Sequence, residues 1–368
     1  MRWHQLLPAI LAAAAIPVAG CADSSPTASG DRVNASAQGH RGDDAGRPDA
    51  ITVMAQNLYV GADVDAVIGA IVSPDQADDL PALIHAIETL QQTDFPARAT
   101  AIADEIARRR PHAVGLSEVS VIDIDLSGFG MPVAVRLDFL AILRAELAER
   151  GLDYAVAASV QNIAAAPLPG ISLVDFDALL VDAGRVTVTA AGGQNFSVNV
   201  GPVAPGVTLI RGWVWARTTV AGTAITFASA HTEPNLGGVP LSGLRAVQVA
   251  EIVGALGSDD RVVLMGDLND TPGSAMYDVL HEAGFADVWT ALRPGRDGNT
   301  CCHASDLSNR VADFSQRLDY IFARGLTREG DRLTGEIARF GDVPADRVTG
   351  PVSPIWPSDH AGLVASLR

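Results

Sequence analysis

The segment Val262-Val-Leu-Met-Gly-Asp-Leu-Asn-Asp270 joins an apolar run to a polar end. The apolar residues are typical of a buried strand, and the glycine predicts where that strand ends. Because side chains of a strand alternate between its faces, Asp267 and Asn269 are predicted on one face and Leu268 on the other. A carboxylate and an amide at a strand end suit a hard divalent cation or a phosphate, while glycine, asparagine and aspartate are also common turn residues.

Polar side chains also accompany five further apolar runs. They are Asn57 after Ile51, Glu118 after Ala113, His231 after Ile225, Asp319 within the run 317–322, and Asp359 with His360 before Ala361. Each alone fits a structural role, such as a helix cap, a turn or a core hydrogen bond. Mixed α/β sheets gather strand ends into one crevice, so their number favours a functional site. Asp319 would be costly to bury without a partner.

The remaining pattern predicts one domain with a mixed sheet core over residues 51–368. Helices are expected at 95–110, 137–150, 242–257 and 273–283, with an acidic insertion, irregular or helical, after residue 61. Strands are expected at 51–58, 113–116, 154–160, 177–182, 185–190, 207–219, 223–230, 261–265, 317–323 and 361–367. Strands occur from start to finish and no linker-like stretch divides them, which favours a single domain.

Composition excludes several kinds of protein. The 368 residues carry a formal net charge of −17, and all 26 basic residues are arginine. Without lysine, neither a Schiff-base lysine nor a Walker-type phosphate loop is available. The acidic balance lacks the basic footprint of a nucleic-acid-binding scaffold, without excluding a nuclease that uses local arginines or a metal. Candidates for such a local contact are Arg136, Arg211, Arg217, Arg245 and Arg317.

The N-terminal segment is predicted to be a targeting signal. Residues 1–20 contain Arg2 and an apolar run from Leu6 to Ile16, shorter than the roughly 20 residues of a membrane-spanning helix. The string VAGC at 18–21 is similar to a bacterial lipobox, in which the cysteine is acylated and becomes the first mature residue; ordinary secretion is the alternative. Residues 22–50 are polar and predict a flexible tether. We therefore expect a domain outside the cytoplasm, held at a membrane through a lipid on Cys21.

Two further cysteines, Cys301 and Cys302, are adjacent. In an oxidising compartment they would form a vicinal disulfide or stay a buried reduced pair. They are too far along the chain from another cysteine for a thiolate zinc cage. His303, beside them, is expected to be structural rather than catalytic.

The order of these motifs resembles that of the endonuclease/exonuclease/phosphatase superfamily. That group includes DNase I, abasic-site endonucleases, neutral sphingomyelinases and inositol-polyphosphate 5-phosphatases. The resemblance spans 51–368 and rests on Asn57, Glu118, AHTE at 230–233, GDLND at 266–270, RLDYIF at 317–322 and SDH at 358–360. It implies the DNase I-like α/β fold, a four-layer αββα sandwich of two mixed sheets flanked by helices. RGWVWA at 211–216 and TCCHASDL at 300–307 resemble a bacterial secreted branch of the superfamily.

The resemblance also implies a cofactor and a metal site. Mg²⁺ is the expected ion, with Mn²⁺ as an alternative. Glu118 would be the principal metal carboxylate, with Asn57 beside it and Asp359 completing the site. Asp267 and Asn269 would bind the metal or position the nucleophile and the scissile phosphate.

Catalytic roles follow from the same resemblance. His360 would be the general base, oriented by Asp319, and His231 would bind or protonate a phosphate oxygen. Asp177 matches a substrate-binding position that precedes an apolar strand. In relatives that strand often ends in arginine, whereas this sequence has Asp182 there, which removes one expected basic contact.

The implied function is divalent-metal-dependent hydrolysis of a phosphoester by in-line attack of water. The substrate would be a nucleic acid, a phospholipid or a soluble phosphodiester, and no obligate protein partner is indicated. A calcineurin-like metallophosphatase fits GDxxD at 266–270, but its other motifs, an early Asp-x-His and GNHE, are missing from the sequence. A catalytically silent surface lipoprotein on the same fold is the second alternative.

Overall fold

The computed structural model describes residues 50–368, except for 74, 76, 131, 205, 237, 238 and 327–331. The expected signal peptide, Cys21 and all but the last residue of the tether lie outside the described residues. Within those residues, no helix is both long enough and apolar enough to cross a membrane.

The described residues form seven α-helices and eighteen β-strands. The helices are α1 (Val64–Val72), α2 (Asp79–Gln92), α3 (Phe95–Arg109), α4 (Phe139–Glu149), α5 (Ser242–Ala255), α6 (Ala275–Glu282) and α7 (Val288–Leu292). The strands are β1 (Ile51–Asn57), β2 (Ala113–Ser117), β3 (Val121–Asp125), β4 (Ala134–Asp138), β5 (Tyr154–Leu168), β6 (Ile171–Asp182), β7 (Val186–Asn195), β8 (Gly201–Ala204), β9 (Val207–Leu209), β10 (Gly212–Val220), β11 (Thr223–His231), β12 (Val262–Asp267), β13 (Ala286–Asp287), β14 (Asp319–Arg324), β15 (Gly335–Phe340), β16 (Val348–Thr349), β17 (Pro354–Ile355) and β18 (Gly362–Leu367).

Local chemistry accounts for the bounds of α3. The side chain of Asp94 accepts a hydrogen bond from a backbone amide of the first turn at 3.4 Å. Pro96 stands in that turn, where its missing N–H has no helical partner to lose. The helix ends where Arg110 adopts a left-handed φ of 49°. The helix predicted to begin at residue 95 is therefore confirmed.

The described strands form two large mixed sheets and a two-stranded ribbon. The first sheet has ten strands in the order β15-β18-β1-β2-β6-β5-β9-β8, with β3 paired to β6 and to β4. The second has the six strands β13-β14-β12-β11-β10-β7, and β16 pairs with β17. In each large sheet one central pair is parallel, β1 with β2 and β11 with β12.

Three buried apolar clusters define the layers. One lies between the sheets and contains Val53 of β1 and Val263 of β12. The next residues along these strands point outward, because side chains alternate: Met54 packs with α3 and α4, and Leu264 packs with α5 and α6. The layers are therefore helix, sheet, sheet and helix, which confirms the expected DNase I-like sandwich.

The sequence predicted the main elements better than the short ones. The helix predicted over 137–150 was wrong at its start, because residues 134–138 form β4 and the helix begins at Phe139. The acidic insertion contains α1 and α2. Strands β3, β8 and β15 were not predicted, since short strands need a neighbouring strand to hold them.

Strand direction places the predicted polar ends at one edge. Asn57 of β1 is level with Ser117 of β2, and Asp267 of β12 faces Asp319 of β14. His231 ends β11, which runs parallel to β12. The strand β18 begins just after residue 360 and runs antiparallel to β1, so its start lies at the end of β1.

Candidate active site

The centre of the site joins the two sheets through Asn57. Its amide Nδ2 donates to Glu118 Oε1 at 2.9 Å and to Asp267 Oδ2 at 3.2 Å. Its Oδ1 accepts from the Tyr59 amide at 2.8 Å. The Val60 amide donates to Glu118 Oε2 at 2.9 Å. Asn57 therefore holds two carboxylates together and keeps the half-buried Glu118 in a defined orientation.

The backbone at the site adopts unusual conformations. Glu118 has a φ of 57° and Asn269 a φ of 50°, in the left-handed region that non-glycine residues seldom occupy. Gly266 has a φ of 129°, and a Cβ there would collide with the Ala230 carbonyl. The glycine of the GDLND segment therefore lets β12 approach the end of β11. Such conformations persist where surrounding contacts enforce them, and they are frequent at functional sites.

Asn269 is held by the loop that follows β11. Its backbone amide donates to Asp267 Oδ1 at 2.9 Å, and its side-chain Nδ2 donates to the Thr232 carbonyl at 3.0 Å. The Asn269 side chain remains half-buried. The predicted proximity of Asp267 and Asn269 is present, although a tight turn creates it rather than the regular alternation of a strand.

His360 forms the predicted contact with Asp319. Its Nδ1 lies 2.7 Å from Asp319 Oδ2, and both side chains are buried. Thr300 Oγ1 accepts from the Asp319 amide at 3.2 Å and anchors the start of β14. Burial lowers the pKa of His360, but Asp319, Asp359 and Asp267 outweigh it and raise this pKa well above its ordinary value. The pair is arranged to orient an imidazole and to stabilise its charged form.

Asp359 brings a further carboxylate to the same place. It is half-buried, and burial together with Glu118 and Asp267 raises its pKa to about 7, against the opposing charges of His360 and Arg98. Crowded carboxylates of this kind raise one another's pKa unless a cation is shared among them. Glu118 and Asp267, joined through Asn57, are oxygen donors of the kind that a hard divalent ion prefers, and both are close enough for their charge to act on Asp359.

His231 meets a second charged group behind the centre. Its Nδ1 lies 3.1 Å from Arg211 Nη1 and 3.4 Å from Asp177 Oδ1, and its Nε2 lies 3.8 Å from Asp267 Oδ2. Arg211 Nε is also 3.5 Å from Glu233 Oε2. Burial and Arg211 lower the pKa of His231, while Asp177 and Asp267 outweigh them and raise it. Asp177, expected to contact substrate, is itself fully buried against this histidine.

The cysteine pair borders the site. Cys301 and Cys302 are joined as a vicinal disulfide, one of the two states left open by the sequence. Cys302 Sγ lies 3.9 Å from His360 Nε2. His303 stacks on Trp356 with ring centroids 4.2 Å apart and contacts the Gly341 carbonyl at 2.9 Å, as expected for a structural residue.

The sequence named five candidate arginines, and the structure places one of them at the site. Of the five candidates, Arg211 is the one buried beside His231, whereas Arg217, Arg245 and Arg317 form ion pairs elsewhere, with Asp259, Asp270 and Asp287. Asp182, at the position where relatives have arginine, pairs with Arg110 and Arg185. Two other members of the site, Asp175 and Glu233, were missed. The string AHTE already contains Glu233, and Asp175 stands two residues before Asp177 on the same face of β6.

Comparison with known proteins gives a family and a fold. The model of the endonuclease/exonuclease/phosphatase family matches residues 87–360. No curated protein sequence matches the chain.

Solved structures with the same fold include a family protein from Leptotrichia buccalis, 16% identical with a TM-score of 0.53, covering 87% of this chain and 100% of that one. A Bacteroides thetaiotaomicron protein of the family is also 16% identical, with a TM-score of 0.54 and coverage of 87% and 98%. TDP2 from D. rerio, in complex with a single-strand DNA product, is 14% identical, with a TM-score of 0.51 and coverage of 87% and 100%. At these identities the likeness establishes the fold.

Proposed function

The chain belongs to the endonuclease/exonuclease/phosphatase family, and we propose that it is a divalent-metal-dependent phosphoester hydrolase. The observation that carries the proposal is the pair of carboxylates Glu118 and Asp267, joined through Asn57, beside the hydrogen-bonded pair Asp319 and His360. Phosphoester hydrolysis requires these two functions together, charge stabilisation at the phosphoryl oxygens and activation of a water molecule.

The donor set fits a hard divalent cation. Asn57, Glu118 and Asp359 would hold Mg²⁺, or Mn²⁺ in its place. When bound, the ion supplies positive charge that stabilises the phosphoryl oxygens of the substrate. Each oxygen of Glu118 already accepts one hydrogen bond, from Asn57 and from Val60, and a carboxylate oxygen has lone pairs for a metal as well.

His360 is the group that moves a proton. A carboxylate can only accept, so in the neutral form of His360 the 2.7 Å contact with Asp319 places the hydrogen on Nδ1 and leaves Nε2 with a lone pair. Nε2 takes a proton from the attacking water. The imidazolium formed is stabilised by Asp319, as an aspartate does for the histidine of a catalytic triad.

Two other side chains position the phosphate. His231 Nε2 faces Asp267 and carries a hydrogen that it donates to a phosphoryl oxygen. Asn269, fixed by its contacts to Asp267 and Thr232, orients the phosphate or the nucleophile. Both act as preorganised dipoles at a buried site, where such contacts are stronger than in water.

The substrate class is tested by parallel assays. Plasmid DNA, sphingomyelin and a soluble phosphodiester are incubated with the protein and Mg²⁺, then again with excess EDTA. We expect hydrolysis of one class, abolished by EDTA, restored by Mg²⁺ or Mn²⁺, and lost in Glu118→Gln. The net charge of −17 opposes a long phosphate backbone. We therefore expect DNA to be a weaker substrate than the small or lipid phosphodiesters.

Two outcomes would contradict the proposal. Full turnover in excess EDTA would remove the metal from the reaction. Failure to hydrolyse any of the three substrates while metal is bound would favour a silent surface lipoprotein instead.

We also propose that the enzyme acts outside the cytoplasm, held by a lipid on Cys21. The support is the string VAGC at 18–21, followed by a polar segment. Cys21→Ala should move the protein from the membrane fraction to the soluble fraction, because a single thioether-linked anchor would be lost. A wild-type protein that is soluble and unlipidated by mass spectrometry would support ordinary secretion.

A further inference from the structure

A second group of acids lies behind His231 and is not explained by the proposed metal site. Asp175, Asp177 and Glu233 are 2%, 0% and 1% exposed. Among the described residues, Asp175 Oδ2, both oxygens of Asp177 and both oxygens of Glu233 have no hydrogen-bond partner. Burying a carboxylate without a partner is among the most costly events in a protein interior. The concentration of such atoms in one place indicates a ligand.

We propose that Asp175 and Asp177 bind a second hard divalent cation. Donor atoms of Asp175, Asp177 and His231 all lie within 4.8 Å of one another. Metal–oxygen bonds of about 2.1–2.6 Å place opposite ligands about 4–5 Å apart, so one ion fits between the two aspartates. Ser120 Oγ donates to Asp175 Oδ1 at 2.8 Å and leaves Oδ2 for the ion.

Arg211 forms no ion pair with Asp175 or Asp177 among the described residues. It forms an ion pair with Glu233, whose Oε2 lies 3.5 Å from Arg211 Nε, and its Nη1 lies 3.1 Å from His231 Nδ1. Three carboxylates and one guanidinium leave two negative charges on the buried group when His231 is neutral, and one when it is protonated. A divalent cation bound by Asp175 and Asp177 offsets this excess of negative charge.

The far end of the same strand offers a contrast. Asp182 is also buried on β6, but it pairs with Arg110 at 3.1 Å and with Arg185 at 2.9 Å, and it accepts from the Gly184 amide. A buried aspartate of this strand is thus neutralised where arginine is available. Within the described residues neither Asp175 nor Asp177 has an arginine at ion-pair distance. Asp177 has His231 at 3.4 Å and Asp175 has the Ser120 hydroxyl, which leaves room for a cation from solution.

The second ion would have a positioning role. His231 lies between this group and Asp267, with Nδ1 toward Asp177 and Nε2 3.8 Å from Asp267 Oδ2. Fixing Asp177 fixes one side of the imidazole while Nε2 stays directed toward the centre of the site. The inference does not depend on which phosphoester is cleaved.

A count of bound Mn²⁺ tests the inference. The full chain is dialysed to equilibrium against Mn²⁺, and the metal per chain is measured by plasma mass spectrometry. We expect two ions in the wild type, one in Glu118→Gln, and one in the double variant Asp175→Asn with Asp177→Asn. Asp182→Asn is the matched control, a buried aspartate of the same strand, and should keep two.

The single-ion results separate this inference from the proposed function. A wild type that binds one ion, lost in Glu118→Gln, would overturn the second site and leave the proposed function intact. Burial and Asp177 raise the pKa of Asp175 to about 7, so a proton is the competing occupant, and it would give that result. If the double variant does not fold, Glu118→Gln alone still decides, since one remaining ion supports the second site and none refutes it.

Discussion

His231 and His360, the two buried histidines of the site, lie at the same distance from Asp267 but have different hydrogen-bond partners. His360 Nδ1 and His231 Nε2 each lie 3.8 Å from Asp267 Oδ2, on either side of one carboxylate. The Nδ1 of His360 faces Asp319 at 2.7 Å, whereas the Nδ1 of His231 faces a guanidinium, Arg211, at 3.1 Å. His360 Nδ1 therefore faces carboxylates alone, whereas His231 Nδ1 has a donor, Arg211, and a more distant acceptor, Asp177 at 3.4 Å.

This difference assigns the two roles. A carboxylate only accepts, so His360 carries its hydrogen on Nδ1 and offers a lone pair at Nε2, as a base must. A guanidinium only donates, so a neutral His231 that accepts from the nearer Arg211 at Nδ1 carries its hydrogen on Nε2. When His231 is protonated, Nε2 still carries a hydrogen. His231 is thus a donor in either state, and His360 is the group able to take a proton from water.

The largest expected effect comes from removing the base. His360→Ala should lower turnover roughly 10²–10⁴-fold, the range usual for a positioned general base, while folding and metal binding persist. Asp319→Asn should impair the same step, because the amide no longer stabilises the imidazolium. Steady-state kinetics of both variants and of the double variant measure this.

The double variant sharpens the comparison. If Asp319 acts through His360, the combined loss should be much smaller than the product of the single losses. Losses that multiply would mean that the two residues act separately. Turnover near the wild-type value in His360→Ala would remove this histidine from the mechanism.

A smaller loss of turnover is expected from replacing His231, the proposed hydrogen-bond donor. His231→Ala should lower turnover by about 10²-fold, the scale for losing one preorganised hydrogen-bond donor. His231→Gln keeps an N–H donor on a side chain of similar reach and should retain more activity than the alanine variant. Rates of the two variants on one substrate distinguish the roles. Equal losses in both would mean that the reaction needs an imidazole that titrates, contrary to the donor assignment.

The smallest expected effect is on stability and concerns a third buried histidine, His112. This histidine lies beside an arginine and forms no hydrogen bond with a carboxylate. His112 Nδ1 accepts from the Thr52 amide at 3.1 Å, and its Nε2 lies 3.4 Å from Arg185 Nη1. Burial and Arg185 lower the pKa of His112 to about 4. Protonation is therefore easier in the unfolded chain, whose histidine pKa is about 6.5. Stability from this group is complete above pH 6.5 and is lost as pH falls toward 4.

Urea unfolding at several pH values measures that loss. We expect His112 to account for about 1–3 kcal/mol of the fall in unfolding free energy between pH 6.5 and 4. His112→Asn should reduce the fall by that amount, because asparagine accepts from Thr52 without titrating. His281→Asn, at an exposed histidine, is the control and should leave the pH dependence unchanged. An unchanged fall in His112→Asn would show that the contacts with Arg185 and Thr52 do not suppress protonation.

Much of the site was predictable because its residues follow strands that the sequence marks clearly. The run 262–265 is apolar and begins with two β-branched valines, so the polar residues after it mark the end of the strand. Five other strand ends carry polar residues by the same logic, and strand direction brings them to one edge. The family resemblance implied the pairing of Asp319 with His360, and it agrees with the need of a carboxylate in an apolar strand for a partner. Short strands such as β3 and β8 were missed, since they are held by neighbours rather than by their own composition.

By itself, the sequence determined which chemical groups stand at the strand ends, the sandwich that presents them, and the absence of lysine chemistry. Only the tertiary structure decided which groups face the imidazole of His231, and it placed Arg211, 20 residues earlier in the chain, against Nδ1. Asp175 and Asp177 come to His231 from the other sheet. Hydrogen-bond partners across two packed sheets depend on strand register and on how the sheets pack against each other. The local pattern of residues determines neither.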